Sequence, residues 1–389
     1  MIRKFQFLCK PEVIYGLNSI SYLPSILKSI NCKNLLIVAD RNFSKTEFFQ
    51  DILNSLKKEN INFFVFDKIE KEPTTDIGDE CGNFARINKC DCVCGIGGGS
   101  SLDTAKAASI LITNDGSVKD YQGLNKVKKP GVPKIMIPTT AGTGSEVTFT
   151  AVFIREDIKK KGGINSPYLY PDYAILDPVL TVSLPPNITA STGLDAFCHA
   201  IESYISRKAN FLTEPISLTA IKLIWNNIYT AYISGENLNA RENMLYGSFL
   251  AGVSLANAGV TAVHSMSYPL GGKFGIPHGI GNAILLPYVL EFDLKNDKSF
   301  TIEREFANIL DTIMPEYLNK SENYKANLLI DEIKKLNKKL NIPKLRDLNI
   351  PSDIFEKIAE EALEVSVPIE NNPCPINKEN IIEIYRNAY

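Results

Sequence analysis

Short runs of β-branched and apolar residues alternate with helix-period stretches through the first half of the chain. The runs at 34–40 (NLLIVAD), 61–67 (INFFVFD), 90–96 (CDCVCGI), 134–138 (KIMIP), 150–154 (TAVFI) and 173–177 (YAILD) have the length and make-up of strands. Helical segments such as FSKTEFFQDILNSLKKEN and SLDTAKAASILIT lie between the first four. Strand, helix, strand at this spacing predicts parallel β-α-β units, and hence a doubly wound, Rossmann-like α/β domain. The texture changes at about residue 187. GLDAFCHAIESYIS, PISLTAIKLIWNNIYTAY, ARENMLYGSFLAGVSLANAG and further runs toward the C-terminus are helical, and no clear β-rich run falls among them. The pattern predicts an α/β domain over 1–185 and an all-α domain over 186–389, joined at Pro185-Pro186. No internal repeat or low-complexity tract interrupts it.

A chain of 389 residues is long enough for two or three domains, since single cores stop growing at roughly 250–300 residues. With 44% hydrophobic and 22% charged residues and a formal net charge of −2, the composition is that of a soluble globular protein. Nothing in that balance points to a nucleic-acid or membrane-surface partner. Lysines cluster at 159–161 and 334–339, beside acids or in turn-like sequence, which reads as solvated surface. The N-terminal apolar patch is too short for a signal segment, and no apolar run approaches the ~18 residues that span a bilayer. The expected location is therefore the cytoplasm, with reduced thiols. Cys90, Cys92 and Cys94 alternate, which predicts one face of a strand; zinc loops favour Cys-x2–4-Cys.

Two turns carry candidate chemistry. GIGGGSSLDTAKAAS follows a predicted strand and opens a helix. Glycines let backbone approach a ligand closely, and the N–H groups at a helix start attract anions, so Gly97, Gly98 and Ser100 form a plausible pyrophosphate seat. The stretch is neither Gly-x-Gly-x-x-Gly nor a P-loop, and an ordinary strand-to-helix turn is the alternative. TTAGTGSEVT, after KIMIP, is a second small polar turn at the carboxyl end of a strand, where open α/β sheets bind ligands. Asp40, closing NLLIVAD, either bonds a ribose and repels a 2′-phosphate or simply caps the next helix.

The chain has three histidines, His199, His264 and His278, and all fall within 80 residues of the helical half. His199 follows Asp195 by four places, so on a helix the two share a face. His264 follows a helical run and His278 a Gly/Pro loop. Ligands from different elements are what a site assembled by tertiary structure requires, although an Asp-His pair is more often a surface ion pair. Three imidazoles and one carboxylate suit Fe(II) or Zn(II) and are poor for Mg or Ca. An ion so held acts as a Lewis acid toward an alcohol or carbonyl oxygen.

On GGGSSLDTAK, PTTAGTGSEVT, DAFCHAIESY and HSMSYPLGGKFGIPHG, the chain resembles the iron-containing (group III) alcohol dehydrogenase family over nearly its whole length. The resemblance implies the dehydroquinate synthase-like two-domain fold and hydride transfer between NAD(H) and a small alcohol, aldehyde or ketone. It implies metal ligation by Asp195, His199, His264 and His278, with Fe(II) first and Zn(II) second. It places Asp40, Gly97, Gly98, Ser100, Thr139, Thr140, Thr143, Ser145 and Lys161 at the cofactor and Leu255 at the substrate pocket. A homodimer or larger homo-oligomer is expected. Tyr268 departs from the pattern: many members have histidine there, often assigned to a proton relay, whereas a phenol of pKa ~10 is a poor base near neutrality. Branches with tyrosine resemble hydroxyacid–oxoacid transhydrogenases and phosphonoacetaldehyde reductases, so a small acidic carbonyl compound is the alternative substrate. Cys374 is a second departure, where arginine is common. A dehydroquinate synthase-type lyase would need basic residues that 187–206 and 255–282 lack apart from Lys273. A metal-free scaffold would need lost ligands, and all four are present.

Overall fold

The computed structural model describes residues 4–70 and 72–389. Contacts divide the chain into two compact units, Cys9–Leu184 and Pro185–Tyr389, the latter with the described residues up to Leu8. The expected range 1–185 thus differs at its start. Asn257 explains why: its Oδ1 accepts the Leu8 N–H at 2.7 Å and its Nδ2 donates to the Leu8 carbonyl at 3.0 Å, which ties this segment to the helical unit.

The first unit is built on strands β1 (Glu12–Tyr15), β2 (Asn34–Asp40), β3 (Asn62–Ile69), β4 (Cys92–Gly97), β5 (Gly123–Leu124), β6 (Lys134–Pro138), β7 (Thr150–Arg155), β8 (Lys160–Asn165) and β9 (Tyr173–Leu176). Its helices are α1 (Leu23–Ser29), α2 (Glu47–Lys58), α3 (Thr75–Ile87), α4 (Gly99–Leu111) and α5 (Val118–Tyr121). Six strands form one parallel sheet in the order β1-β9-β6-β4-β2-β3. The chain runs outward from β2 to β3, then returns to place β4 on the other side of β2. That reversal is the topological switch point at which such sheets take ligands.

Local sequence accounts for the helices. In α2 the Thr46 hydroxyl caps the start by accepting from the Phe49 N–H, Phe49, Ile52 and Leu56 bury one stripe, and Lys57 and Lys58 close the last turn. Leu35, Ile37, Cys92, Cys94 and Ile135 pack on one side of the sheet, and Leu36, Val38, Val93 and Met136 on the other. Cys92 and Cys94 share a face as the alternation predicts. Cys90 does not: β4 begins after it, and it packs with Val93 on the opposite side.

The run 150–154 is a strand as expected, and it lies outside the parallel sheet, pairing antiparallel with β8 in a separate small sheet of order β5-β8-β7. Its partner, KKGGIN, carries two glycines and two lysines in six residues and lacks the composition that marks a strand.

The second unit has helices α6 (Pro186–Ile205), α7 (Thr213–Ile233), α8 (Leu238–Ala258), α9 (Ala262–Phe274), α10 (His278–Asn296), α11 (Thr301–Ile313), α12 (Glu322–Lys339), α13 (Phe355–Glu364), α14 (Ser366–Asn371) and α15 (Lys378–Ala388). Pro186 stands at the first position of α6, where its missing N–H leaves nothing unsatisfied. Among the described residues no single helix is long and apolar enough to cross a membrane. The bent pair α8 and α9 meets that test jointly, and much of both is buried among the other helices.

Candidate functional site

In the α/β unit the candidate residues close three adjacent parallel strands. Asp40 ends β2, Gly97 ends β4, and Thr139 follows Pro138 at the end of β6. The Thr139 N–H donates to the Gly97 carbonyl at 2.9 Å, tying the second turn to the first. Gly98 is the N-cap of α4 and offers no side chain to satisfy the helix start, which leaves that end suited to an anion. The turns also touch through side chains. A Cβ on Gly99 would lie 2.6 Å from Cγ2 of Thr143, and one on Gly98 3.4 Å from Cγ2 of Thr140. Ser100 lies in the first turn of α4, where its carbonyl accepts from the Thr104 hydroxyl.

The two oxygens of Asp40 have different surroundings, and the capping one is engaged at the turn that follows β2. Oδ1 accepts the N–H groups of Asn42 (3.0 Å) and Phe43 (2.9 Å), while Oδ2 lies 3.2 Å from where a Cβ on Gly97 would stand. The Ser145 hydroxyl is committed elsewhere: it donates to Asp103 Oδ1 at 2.6 Å. Lys161 sits in β8, with Nζ 2.8 Å from Glu72 Oε1.

Two residues that the sequence did not single out hold the second turn in place. Lys106 is fully buried and donates to the carbonyls of Ser145 (2.8 Å), Thr150 (2.5 Å) and Thr148 (3.3 Å). One turn earlier on α4, Asp103 accepts from Ser145 and from the Val152 N–H (2.8 Å). Burial pulls the Lys106 ammonium below its usual range, against the pull of Asp103 and Glu146. Charged residues one turn apart in the otherwise small and apolar SLDTAKAAS are the signal that could have revealed them.

In the helical unit, α6 supplies Asp195 and His199, α9 supplies His264, and α10 begins at His278. Asp195, His199 and His264 are buried, and each offers a ligand atom within 4.8 Å of the others. His278 adjoins this group: its ring centroid is 5.1 Å from that of His264. Close backbone approach brings it there, since a Cβ on Gly279 would lie 2.0 Å from the Ser191 carbonyl oxygen. Tyr268, half-buried, has its ring 5.6 Å from that of His278. Leu255 is half-buried in the last turn of α8.

Asn282 and Glu202 complete the arrangement. Asn282 Nδ2 lies 2.8 Å from Asp195 Oδ1, 3.1 Å from His264 Nε2 and 3.3 Å from His278 Nε2. Its own Oδ1 is buried with no hydrogen-bond partner among the described residues. Glu202 is fully buried and takes His264 Nδ1 in a short hydrogen bond. Both follow a histidine at helical spacing, three places after His199 and four after His278, but glutamate and asparagine are too common to stand out.

The donor set fits a cation. One carboxylate oxygen and two imidazole nitrogens, atoms that accept in the neutral Nδ1–H tautomer, face one amide that has two protons to give. Two buried carboxylates, Asp195 and Glu202, have only histidines as ion-pair partners among the described residues. The cluster is short of positive charge, and nitrogen with one carboxylate oxygen suits Fe(II) or Zn(II).

Family comparison agrees with this geometry. Residues 10–178 match the iron-containing alcohol dehydrogenase model, and residues 189–389 match the C-terminal model of the Fe-containing alcohol dehydrogenase family. The chain is 36% identical over 378 residues to long-chain-alcohol dehydrogenase 1 of Geobacillus thermodenitrificans, covering 96% of this chain and 94% of that one. It is 33% identical over 383 residues to the NAD-dependent methanol dehydrogenase of Bacillus methanolicus, covering 98% and 99%. The crystal structure of a 1,3-propanediol oxidoreductase superposes with a TM-score of 0.95 at 34% identity and covers the whole of both chains. The chain therefore belongs to the iron-containing alcohol dehydrogenase family, oxidoreductases that work with NAD(H) and a divalent metal.

Proposed function

We propose that this protein interconverts a small alcohol and its aldehyde or ketone, with Asp195, His199, His264 and His278 holding a divalent ion. The observation that carries the reading is the convergence of carboxylate and imidazole atoms on one amide in a buried pocket short of positive charge. When bound, the ion supplies Lewis-acid polarisation of the substrate oxygen, and NAD(H) supplies the hydride acceptor or donor. Asp40, Gly97, Gly98, Ser100, Thr139, Thr140 and Thr143 are proposed to hold the dinucleotide. The switch-point position of the first strand ends and the uncapped start of α4 support this. Ser145 and Lys161 belong to the same proposal, Ser145 as a brace of its turn through Asp103, and Lys161 once it exchanges Glu72 for a ribose. Leu255 is proposed to line the substrate pocket and Tyr268 to donate a hydrogen bond there, a role a phenol can fill at neutral pH.

Two of the proteins this chain resembles are named for small alcohols, methanol and 1,3-propanediol, which supports that substrate class. An acidic substrate draws no support from Lys273 on α9, which is paired with Glu361 at 2.8 Å. Free cysteines throughout suit a reducing, cytoplasmic setting. β1 lies at an open sheet edge with Val13 and Tyr15 exposed, which supports pairing with another copy of the chain.

The test is elemental analysis of purified protein together with NADH consumption on a panel of aldehydes, ketones, 2-oxoacids and phosphonoaldehydes. About one Fe or Zn per chain is expected, with turnover on simple aldehydes. His264→Ala is expected to bind metal more weakly, through the remaining ligands, and to lose turnover while NADH still binds. Full turnover by metal-free protein would overturn the reading.

A further inference from the structure

We infer that Glu202 is a positioning residue that fixes which nitrogen of His264 faces the metal site. This rests on the metal-site reading above and deepens it. Glu202 lies on α6 with Asp195 and His199, so one helix carries two candidate ligands and the group that aims a third. Its carboxylate is fully buried and its oxygens divide the work. Oε2 takes His264 Nδ1. Oε1 accepts the Thr261 N–H (2.9 Å), the Thr261 hydroxyl (2.9 Å) and, at 3.4 Å, the His264 N–H.

Those backbone groups are the N-cap and third residue of α9, a helix whose own N-cap residue provides no side-chain cap. Glu202 caps α9 from another helix, and a carboxylate is favoured at a helix start. Asn372 assists by accepting the Ala262 N–H at 3.2 Å. The cap fixes the backbone of His264, and the same carboxylate fixes its ring.

The consequence is chemical. With the Nδ1–H group donating to Glu202, Nε2 keeps its lone pair, and Nε2 is the atom that faces Asp195 Oδ1 at 3.9 Å. Without that acceptor the imidazole is free to carry its proton on Nε2, which cannot then ligate. Loss of such an outer partner typically weakens metal affinity about 10–100-fold.

The chain's three histidines make the test tractable. Histidine-selective ¹⁵N spectra of metal-free wild-type protein, assigned by substituting each histidine in turn, are expected to show His264 protonated at Nδ1 and bare at Nε2. The opposite tautomer overturns the inference. In Glu202→Gln, Zn(II) affinity, measured by competition with a chromophoric chelator, is expected to fall about 10–100-fold. In a His264→Ala background the same change is expected to have less than about a twofold effect, because the partner it aims is gone. Wild-type affinity in Glu202→Gln, or an equal loss in both backgrounds, overturns the inference, the latter by making Glu202 a cap alone. If Glu202→Gln does not fold, Glu202→Asp, which draws both oxygens back by one methylene, is put through the same comparison with the same outcomes. Wild-type protein that binds no Zn(II) overturns the metal-site reading instead.

Discussion

At Asp40 a turn cap and a proposed cofactor contact fall on one carboxylate. Its Oδ1 closes a turn by accepting from Asn42 and Phe43, while Oδ2 lies beside Gly97. Asp40→Gly should therefore do two separable things. Use of NADPH relative to NADH should rise about tenfold or more, as the charge that repels a 2′-phosphate is removed. Stability should fall by about 1 kcal/mol as the turn loses its cap. Steady-state kinetics with both cofactors and a urea titration read the two effects, and an unchanged cofactor preference would detach Asp40 from the cofactor. Tyr268→Phe should leave kcat within about threefold of wild type near neutral pH, since the phenol is too weak a base to carry the proton. At this scale legibility tracked rarity. Three histidines in the whole chain stand out, and three of the four candidate ligand positions occupy one buried group. Glu202 and Asn282 are ordinary residues by type. Only their helical offset from a histidine, combined with full burial, gives them meaning, and burial is not visible in sequence.

Among the elements, two close approaches set the geometry of the candidate residues. The start of α10 meets α6 where a Cβ on Gly279 would lie 2.0 Å from the Ser191 carbonyl oxygen and 3.1 Å from Cβ of Asp195. Backbone cannot yield as a flexible side chain does. Gly279→Ala should therefore push α10 off α6, at a cost of about 3 kcal/mol, and lower metal content, read by thermal melts and elemental analysis. Gly99→Ala would drive a methyl into the stiff side chain of Thr143. NADH affinity, followed by fluorescence, should fall about tenfold with metal binding unchanged. β2, β4 and β6 were legible as short apolar runs buried on both faces, and α2 as a helix with a single buried stripe; α4, buried nearly all round, was legible from its helix-forming residues after a strand and a glycine turn. β8 was not, since its glycines and lysines have no strand propensity and it exists by pairing with β7 and β5. Cys90 misled for a related reason: strict alternation suggested a strand two residues longer than the sheet uses.

For the molecule as a whole, buried carboxyls make stability depend on pH. Burial pushes Asp293 up to about 8, and Glu146 and Glu305 up to about 7. Each holds a proton in the folded chain that the unfolded chain has already released above about pH 4. Stability is therefore fullest near the ordinary carboxyl range and declines as pH rises toward 8. Urea midpoints of the metal-free protein should fall steadily from pH 5 to pH 8, and Asp293→Asn should flatten part of that slope. A rising midpoint would refute the assignment. None of this is written in the sequence, where Asp293 is one acid in the polar-looking stretch EFDLKND and its burial comes from tertiary packing alone.

The grouping of Asp195, His199 and Glu202 on α6 also constrains how the gene can change. Each residue added to or lost from a helix rotates everything beyond it by about 100°. A single in-frame codon inserted between positions 195 and 202 would turn Glu202 away from His264 while leaving composition and hydropathy almost untouched. The loop 206–212 that follows has no such phase to keep. Length variation among natural or engineered descendants of this chain should accumulate there and be absent from the seven steps of α6.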